Sequence, residues 1–512
     1  MLAKVLSAAI KGIDAYLVEV EVDLSNGLPC FAIVGLPEGA VRESKERVKS
    51  ALKNSGFRFP DKRITVNLAP ADTRKEGTGL DLPIAVGILL ASGMLTLKNA
   101  PDYLLLGELS LDGGIKPVRG ALPAAVTARD AGLAGLILPR ENGPEAAVVQ
   151  GTPVYGADSL SQVVEFLSGV STAAPVQADL AEMLADKSAY DADLSEVKGQ
   201  EHAKRALEVA AAGGHNLIMI GPPGSGKTML AKRLATLLPT LRIEEALQTT
   251  KIYSVAGLMP RNCALVVTRP FRSPHHTISD AGLIGGGAQP RPGEVSLSHH
   301  GVLFLDELPE FKKKVLEVLR QPLEDGQVTI SRASGSLTYP ARFMLVTAMN
   351  PCPCGYLGHP KHPCRCSTVE TTRYRSRVSG PLLDRIDIHL DVPPVSYRDL
   401  SALSGESSAT VRARVVAAQR IQQERFSTVA SDRRVFFNAH MEGKLLKEHC
   451  PLGPEASRLL EVALNRLGLS ARAHSRILKV ARTIADLAGS ERIDPIHISE
   501  AIGYRSLDRI LP

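Results

Sequence analysis

Three short strings could do phosphate chemistry together. The first is Gly221-Pro222-Pro223-Gly224-Ser225-Gly226-Lys227-Thr228, directly after the apolar run Asn216–Ile220 and directly before the helical pattern 229–238. The spacing G-x-x-x-x-G-K-[ST] between a strand and a helix predicts a phosphate cradle. Glycines let backbone N–H groups approach an anion, and the helix N-terminus adds positive potential. Lys227 would reach the β- and γ-phosphates of ATP, and Thr228 would hold Mg²⁺. The bland alternative is a Gly/Pro-rich turn before a helix, which the flanking strand and helix disfavour. The second string is Gly301-Val-Leu-Phe-Leu-Asp-Glu307, four apolar residues ending in two carboxylates. It reads as a buried strand whose C-terminal end faces the phosphates. Asp306 would bind Mg²⁺ and its waters, and Glu307 would polarise the attacking water. Third, the strand pattern Phe343–Asn350 ends in an amide that could position the same water.

Two further groups could take part. Arg385, in Gly380-Pro-Leu-Leu-Asp-Arg-Ile-Asp387, has no evident local duty beyond pairing with Asp384 or Asp387. An arginine there could instead reach a neighbouring subunit's nucleotide and stabilise developing charge. Cys352-Pro-Cys354 and Cys364-Arg-Cys366 can supply four thiolates to one tetrahedral Zn²⁺, with His359 and His362 as spare ligands. C-x-C is tighter than the usual C-x₂-C, so a reduced, metal-free loop is the competing reading. A metal clip would order the long loop between Asn350 and Arg385.

These residues need a scaffold. The 512 residues allow about three domains at roughly 150 residues each. Residues 1–168 alternate apolar runs (Tyr16–Val22, Ile64–Leu68, Tyr103–Leu106, Gly135–Leu138) with helical patterns (Pro37–Asn54, Leu82–Ser92). That predicts an α/β or α+β domain. Residues 169–195 are small and polar and read as a linker. An α/β domain follows over 196–395 and carries the Cys-rich loop 351–367. Residues 396–512 turn helical (Ala409–Phe426, Pro454–Leu467, Ala471–Ala488, His497–Tyr504). No apolar run reaches the roughly 20 residues of a membrane span. The apolar start is cut by Lys11 and Asp14, which favours a folded segment over a signal peptide. A cytoplasmic protein with no membrane partner is expected. Seven cysteines, four of them within fifteen residues, do not look like a dispersed disulfide framework.

The order and spacing of these strings resemble the AAA+ ATPases of the branch containing magnesium-chelatase ATPase subunits and MCM helicases. The likeness is nearest to the Mg-chelatase-like proteins of the ComM and YifB type and spans essentially the whole chain. It is carried by residues 269–287 (RPFRSPHHTISDAGLIGGG), 291–311, 341–355, 379–387 and 469–487. The resemblance implies a fold of class α/β with three parts: a Lon-protease-like N-terminal domain (ribosomal S5 domain 2-like, α+β), a central AAA+ P-loop domain and a C-terminal helical lid. It implies that Asn350 is the first sensor, Arg385 the arginine finger and Arg472 the second sensor. Both arginines would act in trans, which implies a homo-oligomeric ring, a hexamer. Segment 282–296 would be a loop inserted into the second helix, and Glu324–Tyr339 a hairpin before the first sensor. Both would face a central pore, making Arg291 and Arg332 candidate DNA contacts; solvated surface is the alternative.

Residues Lys75–Pro83 and Gly107–Gly120 carry the Lon-like resemblance. A Lon-type protease needs a Ser and a Lys, but the Ser position falls at Gly79 and the Lys position at about Leu122. Without nucleophile and base, peptide hydrolysis has no mechanism. Three functions compete: a DNA motor, a chelatase-like ATPase remodelling a protein partner without acting on DNA, and a Lon-like protease. The missing Ser–Lys pair disfavours the last. Net charge is +6, and residues 361–385 and 411–434 each hold six Lys or Arg against two acids. That suits a polyanion, although basic runs are often solvated helix faces. There is no Trp and no evident aromatic stacking platform, so a backbone-tracking grip is expected. By resemblance the activity would be helicase and branch-migration work on single-stranded and branched DNA during natural transformation, alongside recombination proteins.

Overall fold

The computed structural model describes residues 1–75, 77–97, 102–180, 183, 192–260, 263–287, 290–332, 335–395, 405–427, 435–468 and 470–505, the side chain of Arg332 excepted. Much of the expected linker, residues 181–182 and 184–191, therefore lies outside them. The chain forms two compact units. One comprises Met1–Asp186, Arg242–Val267 and Ser331–Leu337, the other Lys187–Leu241, Thr268–Ile330 and Thr338–Pro512.

In the first unit, nine strands are β1 (Leu2–Lys11), β2 (Asp14–Ser25), β3 (Cys30–Val34), β4 (Arg63–Ala69), β5 (Tyr103–Leu105), β6 (Glu108–Leu109), β7 (Ile115–Lys116), β8 (Gly135–Pro139) and β9 (Val154–Ala157). Seven make a mixed sheet in the order β3-β4-β2-β1-β5-β8-β9. In β2, Val18, Val20, Val22 and Leu24 are buried and their neighbours face outward, the period of a half-covered strand. Lys11 and Asp14, which interrupt the apolar start, are the paired residues that close the β1–β2 hairpin. At Gly79 a Cβ would lie 2.9 Å from the Leu106 side chain. Leu122 is buried, and its N–H donates to Glu145 at 3.0 Å. Thr78 donates its hydroxyl to Glu108, and the nearby cation Arg47 is bound to Asp81 at 2.7 Å. A guanidinium cannot serve as a proton acceptor. Lys116 is exposed on β7. Burial lifts the Asp81 carboxyl to about 6 against the pull of Arg47.

In the second unit, five parallel strands order as β11-β14-β17-β10-β18: β10 (Leu217–Ile220), β11 (Phe271–Arg272), β14 (Val302–Leu305), β17 (Met344–Met349) and β18 (Ile388–Asp391). β10, β14 and β17 are buried at every position, because helices cover both faces of a parallel sheet. The expected insertion over 282–296 is the helix Asp280–Ile284, the two-residue strands β12 (Gly285–Gly286) and β13 (Arg291–Pro292), and the helix Glu294–Leu297. The expected hairpin is β15 (Gln327–Arg332) with β16 (Gly335–Pro340). Arg291 is exposed, whereas the Arg332 side chain lies outside the described residues. The C-terminal helices run Ser408–Phe426, Pro454–Leu467, Ala471–Leu487 and Pro495–Gly503, within a residue or two of the sequence reading. No helix among the described residues is long and apolar enough to cross a membrane.

A buried polar network joins the lid to the sheet. Asp387, just before β18, accepts from Arg476 at 2.7 Å and sits 3.2 Å from His215 Nδ1. His215 Nε2 is 2.8 Å from the Thr483 hydroxyl on the lid helix Ala471–Leu487. Burial would push the Asp387 carboxyl up, but Arg476 and His215 outweigh it and hold it well below the usual carboxylate range. Asp387→Ala removes the anion and strands its cation, so the second unit should lose about 3–5 kcal/mol in urea unfolding at neutral pH. A depressed pKa contributes stability above the unfolded value of about 4 and loses it as pH falls toward the folded value. The deficit should therefore be flat from about pH 5 to 8.

Candidate nucleotide site and cysteine cluster

The loop Gly221–Gly226 leaves β10 and enters the helix Lys227–Leu237. Gly221 is there for space: a Cβ would fall 2.1 Å from the Val392 carbonyl oxygen. Gly224 and Gly226 take φ of +75° and +91°, which L side chains avoid. The Lys227 ammonium donates to the carbonyls of Gly221 at 2.7 Å and Pro222 at 2.9 Å, and to Asn350 Oδ1 at 3.3 Å. Burial pushes its pKa down, opposed by Asp306 and Glu307. Thr228 Oγ1 donates to Asp306 Oδ2 at 2.6 Å, placing hydroxyl and carboxylate as a hard-cation pair would need them. The Ser225 hydroxyl is buried with no partner among the described residues.

Parallel strands converge these groups. Asp306 ends β14, Asn350 ends β17 and the loop ends β10, all at the C-terminal edge of adjacent strands. Glu307 is exposed and takes φ of +52°, uncommon outside glycine. Its Oε2 is 3.5 Å from His276 Nδ1, and the His276 ring meets Phe311 edge-on. Two participants escaped the sequence reading. His276 is one; it sits in the string 269–287, but its partner Glu307 is 31 residues away and nothing local signals the contact. Gln200, at φ +54°, is the other, donating to the Ser225 carbonyl at 2.8 Å.

The arginines have local partners, but not the expected ones. Arg385 pairs with Glu324 and donates to the Pro381 carbonyl at 2.5 Å, whereas Asp384 and Asp387 are taken by Arg472 at 2.6 Å and by Arg476. Burial and the neighbouring Arg320, Arg472 and Arg476 push the Arg385 pKa down. Its Nε is buried and unpartnered among the described residues. The basic lid helix is likewise not a free cationic face. Arg414 binds Glu208 and Glu406, Arg420 binds Glu424, Arg425 binds Asp486, and Arg412 donates to the Thr236 carbonyl. Arg433 and Arg434 lie outside the described residues.

The four clustered cysteines come together, with all four sulfurs within 4.8 Å of one another. Cys352–Cys354 is 3.4 Å and Cys364 lies 3.6 Å from both. Four thiolates at about 2.3 Å from one Zn²⁺ stand about 3.8 Å apart, so the cluster is nearly of that size. Backbone N–H groups of Arg365 and Tyr356 hold the Cys354 thiol down to about 6. His359 Nδ1 instead accepts the N–H groups of Lys361 and His362, both at 3.0 Å, which removes that nitrogen as a spare ligand.

Comparison with known proteins agrees along the whole chain. Residues 193–400 match the family described as magnesium chelatase, subunit ChlI; residues 20–142 match subunit ChlI of Mg-chelatase; residues 405–505 match the ChlI C-terminal family. The chain is 47% identical to YifB of Salmonella typhimurium over 100% of this chain and 98% of that protein. It is 46% identical to the competence protein ComM of Haemophilus influenzae over the same shares. The magnesium-chelatase 38 kDa subunit of Rhodobacter capsulatus is 26% identical over 31% of this chain and 49% of its own.

The site geometry separates binding from turnover. Lys227→Ala removes a charge-assisted donor worth about 1.5–3 kcal/mol, so affinity for a fluorescent ATP analogue should fall on the order of ten-fold or more. Glu307→Gln should bind that analogue normally and turn ATP over more slowly by orders of magnitude, as measured by phosphate release.

Proposed function

The chain belongs to the Mg-chelatase-like AAA+ family of the ComM and YifB type, and from that membership we propose a ring-forming, ATP-driven DNA motor. The observation that carries it is the convergence of Lys227, Thr228, Asp306, Glu307 and Asn350 on one edge of a parallel sheet. Gly221–Thr228 bind the triphosphate, and the loop N–H groups and Lys227 neutralise it. Thr228 and Asp306 would hold a Mg²⁺, which would supply positive charge against the negative charge that develops on the phosphates. Glu307 accepts a proton from the attacking water, and Asn350 orients that water against the γ-phosphate. His276 restrains the Glu307 carboxylate.

Arg472 binds Asp384, the residue next to Arg385 in the chain. Both arginines are assigned to a neighbour's nucleotide, with Glu324 and Asp384 as their partners in the isolated chain. Action in trans requires a homo-oligomer, and the family resemblance points to a hexameric ring. The four cysteines are assigned to one Zn²⁺ that fixes the loop between Asn350 and Arg385. The N-terminal unit is assigned to binding or assembly rather than peptide hydrolysis, because Gly79 and Leu122 supply no nucleophile or base.

DNA is the substrate this reading favours. The Haemophilus influenzae relative is named a competence protein, which supports work on incoming DNA. Branch migration during recombination in natural transformation is the proposed activity, inside the cell, with Arg291 and Arg332 gripping the backbone. If the protein hydrolyses ATP without responding to DNA, remodelling of a protein partner becomes the better reading.

Mixing Arg385→Ala with Lys227→Ala protein should restore phosphate release above the sum of the two, because some interfaces then pair an intact site with an intact arginine. No gain after verified subunit exchange would place Arg385 in cis. Elemental analysis should find about one Zn per chain, lost in the Cys352→Ser/Cys364→Ser variant together with thermal stability.

DNA affinity should depend little on sequence and should drop on the order of 10³-fold between 50 and 200 mM salt. Arg291→Ala should lower DNA-stimulated hydrolysis and spare the basal rate. Wild-type protein should drive a four-way junction to products while Glu307→Gln only binds it. A ring that neither binds nor responds to DNA at low salt ends this reading.

A further inference from the structure

The loop that carries the cysteines has an outer surface that the nucleotide chemistry does not use. Tyr356, His359 and His362 form a ring cluster: Tyr356–His362 centroids are 5.2 Å apart, His359–His362 4.8 Å and Tyr356–His359 5.7 Å. Tyr356 and His359 are half-buried, while His362 is exposed. The two backbone N–H bonds into His359 Nδ1 fix the turn on which these rings sit. The stacking platform missing from the sequence reading is therefore assembled from residues three apart, none of them Trp.

The charge around the rings is one-sided. From Arg342 to Cys366 the chain contains no Asp or Glu. The next acid, Glu370, is used by the N–H and hydroxyl of Ser367 at 2.8 and 2.9 Å. Lys361 and Arg365, both exposed, have no carboxylate partner among the described residues. The other cations of this stretch are mostly occupied: Arg375 donates to the Pro351 carbonyl, Arg377 binds Glu310 and Arg385 binds Glu324. Free cations beside half-exposed rings suit a polymer with alternating phosphates and flat bases. An apolar peptide would leave the cations unmatched.

The same loop touches the nucleotide site. Gly355 has φ of +83°, and a Cβ there would fall 2.6 Å from Pro223 Cδ of the phosphate loop and 3.8 Å from Asn350 Cγ. The cysteine loop thus rests on the phosphate loop at van der Waals distance, with no side chain between.

We propose that the four-cysteine loop is a single-stranded nucleic-acid contact: bases stack on Tyr356 and His362, and Lys361 and Arg365 take the flanking phosphates. Occupancy is transmitted to the phosphate loop through the Gly355–Pro223 contact. This rests on the DNA-motor reading and adds a site to it, separate from Arg291 and Arg332.

The test uses full-length protein and fluorescein-labelled oligo(dT), with a duplex of equal length as control, followed by anisotropy at low salt. Tyr356→Ala should weaken oligo(dT) binding on the order of ten-fold, the loss of one stacked base. Tyr356→Phe should restore it, because the ring face remains. Lys361→Glu/Arg365→Glu should weaken binding at least as much and reduce its salt dependence. The duplex should be less affected by Tyr356→Ala than oligo(dT). An unchanged thermal midpoint in each variant shows that the loop is still folded. Gly355→Ala should bind oligo(dT) normally yet lose its stimulation of hydrolysis.

If wild-type protein binds DNA and these variants bind it equally well, the loop contact is wrong and the DNA motor stands. If wild-type protein binds no DNA, the motor reading fails and takes this site with it. If Tyr356→Phe binds as poorly as Tyr356→Ala, stacking is wrong. If poly-glutamate displaces oligo(dT) at equal charge, the surface belongs to an acidic protein partner instead.

Discussion

The carboxylate of Asp387 is buried, and a charge in that position survives only when cations and N–H groups surround it. Arg476, His215 and the backbone N–H of Asn216 supply them. Those partners come from two parts of the second unit: Arg476 from the lid helix, and His215 and Asn216 from the short connection between the helix Glu201–Gly213 and β10. One anion therefore fixes the lid against the strand that leads into the phosphate loop. It also fixes the arginines by arithmetic. Arg385 is two residues before Asp387, and Arg472 is one helical turn before Arg476. A shift of this ion pair would move both.

That constraint explains why the edge arginines sit among like charges. The guanidiniums of Arg320, Arg472 and Arg476 all oppose the charge of Arg385 there, and burial adds to the cost. Glu317, Glu324, Asp384 and Asp387 compensate, yet Arg385 Nε has no partner among the described residues. Each of the four cations has one carboxylate partner, so any anion reaching Arg385 must compete with Glu324 for it. Glu324 also lies just before Gly326 and β15, so the partner of Arg385 sits at the root of the hairpin that carries Arg332. Hairpin position and arginine availability thus share one short segment.

The nucleotide site was legible because its parts are contiguous strings at the ends of parallel strands. Each string needed only its own strand and turn to be placed, and the parallel sheet then brought the strand ends together. The helical boundaries of the lid were legible for a similar reason, since periodicity and caps are local. What was not legible depends on partners far away in sequence. His276 meets Glu307, and Gln200 meets the Ser225 carbonyl, through tertiary packing alone. Arg414 and Arg425 looked like free cations because Glu208 and Asp486 lie 206 and 61 residues away. Tyr356, His359 and His362 were missed as a platform because spacing of three residues in a loop carries no periodic signal.

Charge shows the same division most sharply. A net +6 says nothing about where positive potential is presented, since paired cations contribute little beyond a Debye length. Two basic stretches of equal composition behave differently. Around 411–434, Arg412 and Arg414 tie the lid helix to Thr236 and Glu208 of the core, Arg425 binds Asp486 within the lid, and Arg420 pairs with Glu424 on the exposed face of its own helix. Around 361–385, three cations are tied up and Lys361, Arg365 and Arg373 are exposed without carboxylate partners among the described residues. The difference is the local supply of acids: none between Arg342 and Cys366, against Glu208, Glu406, Glu424 and Asp486 around the lid helix. Composition counted both stretches alike. The fold spends most of one stretch on internal contacts and leaves Lys361, Arg365 and Arg373 of the other facing solvent.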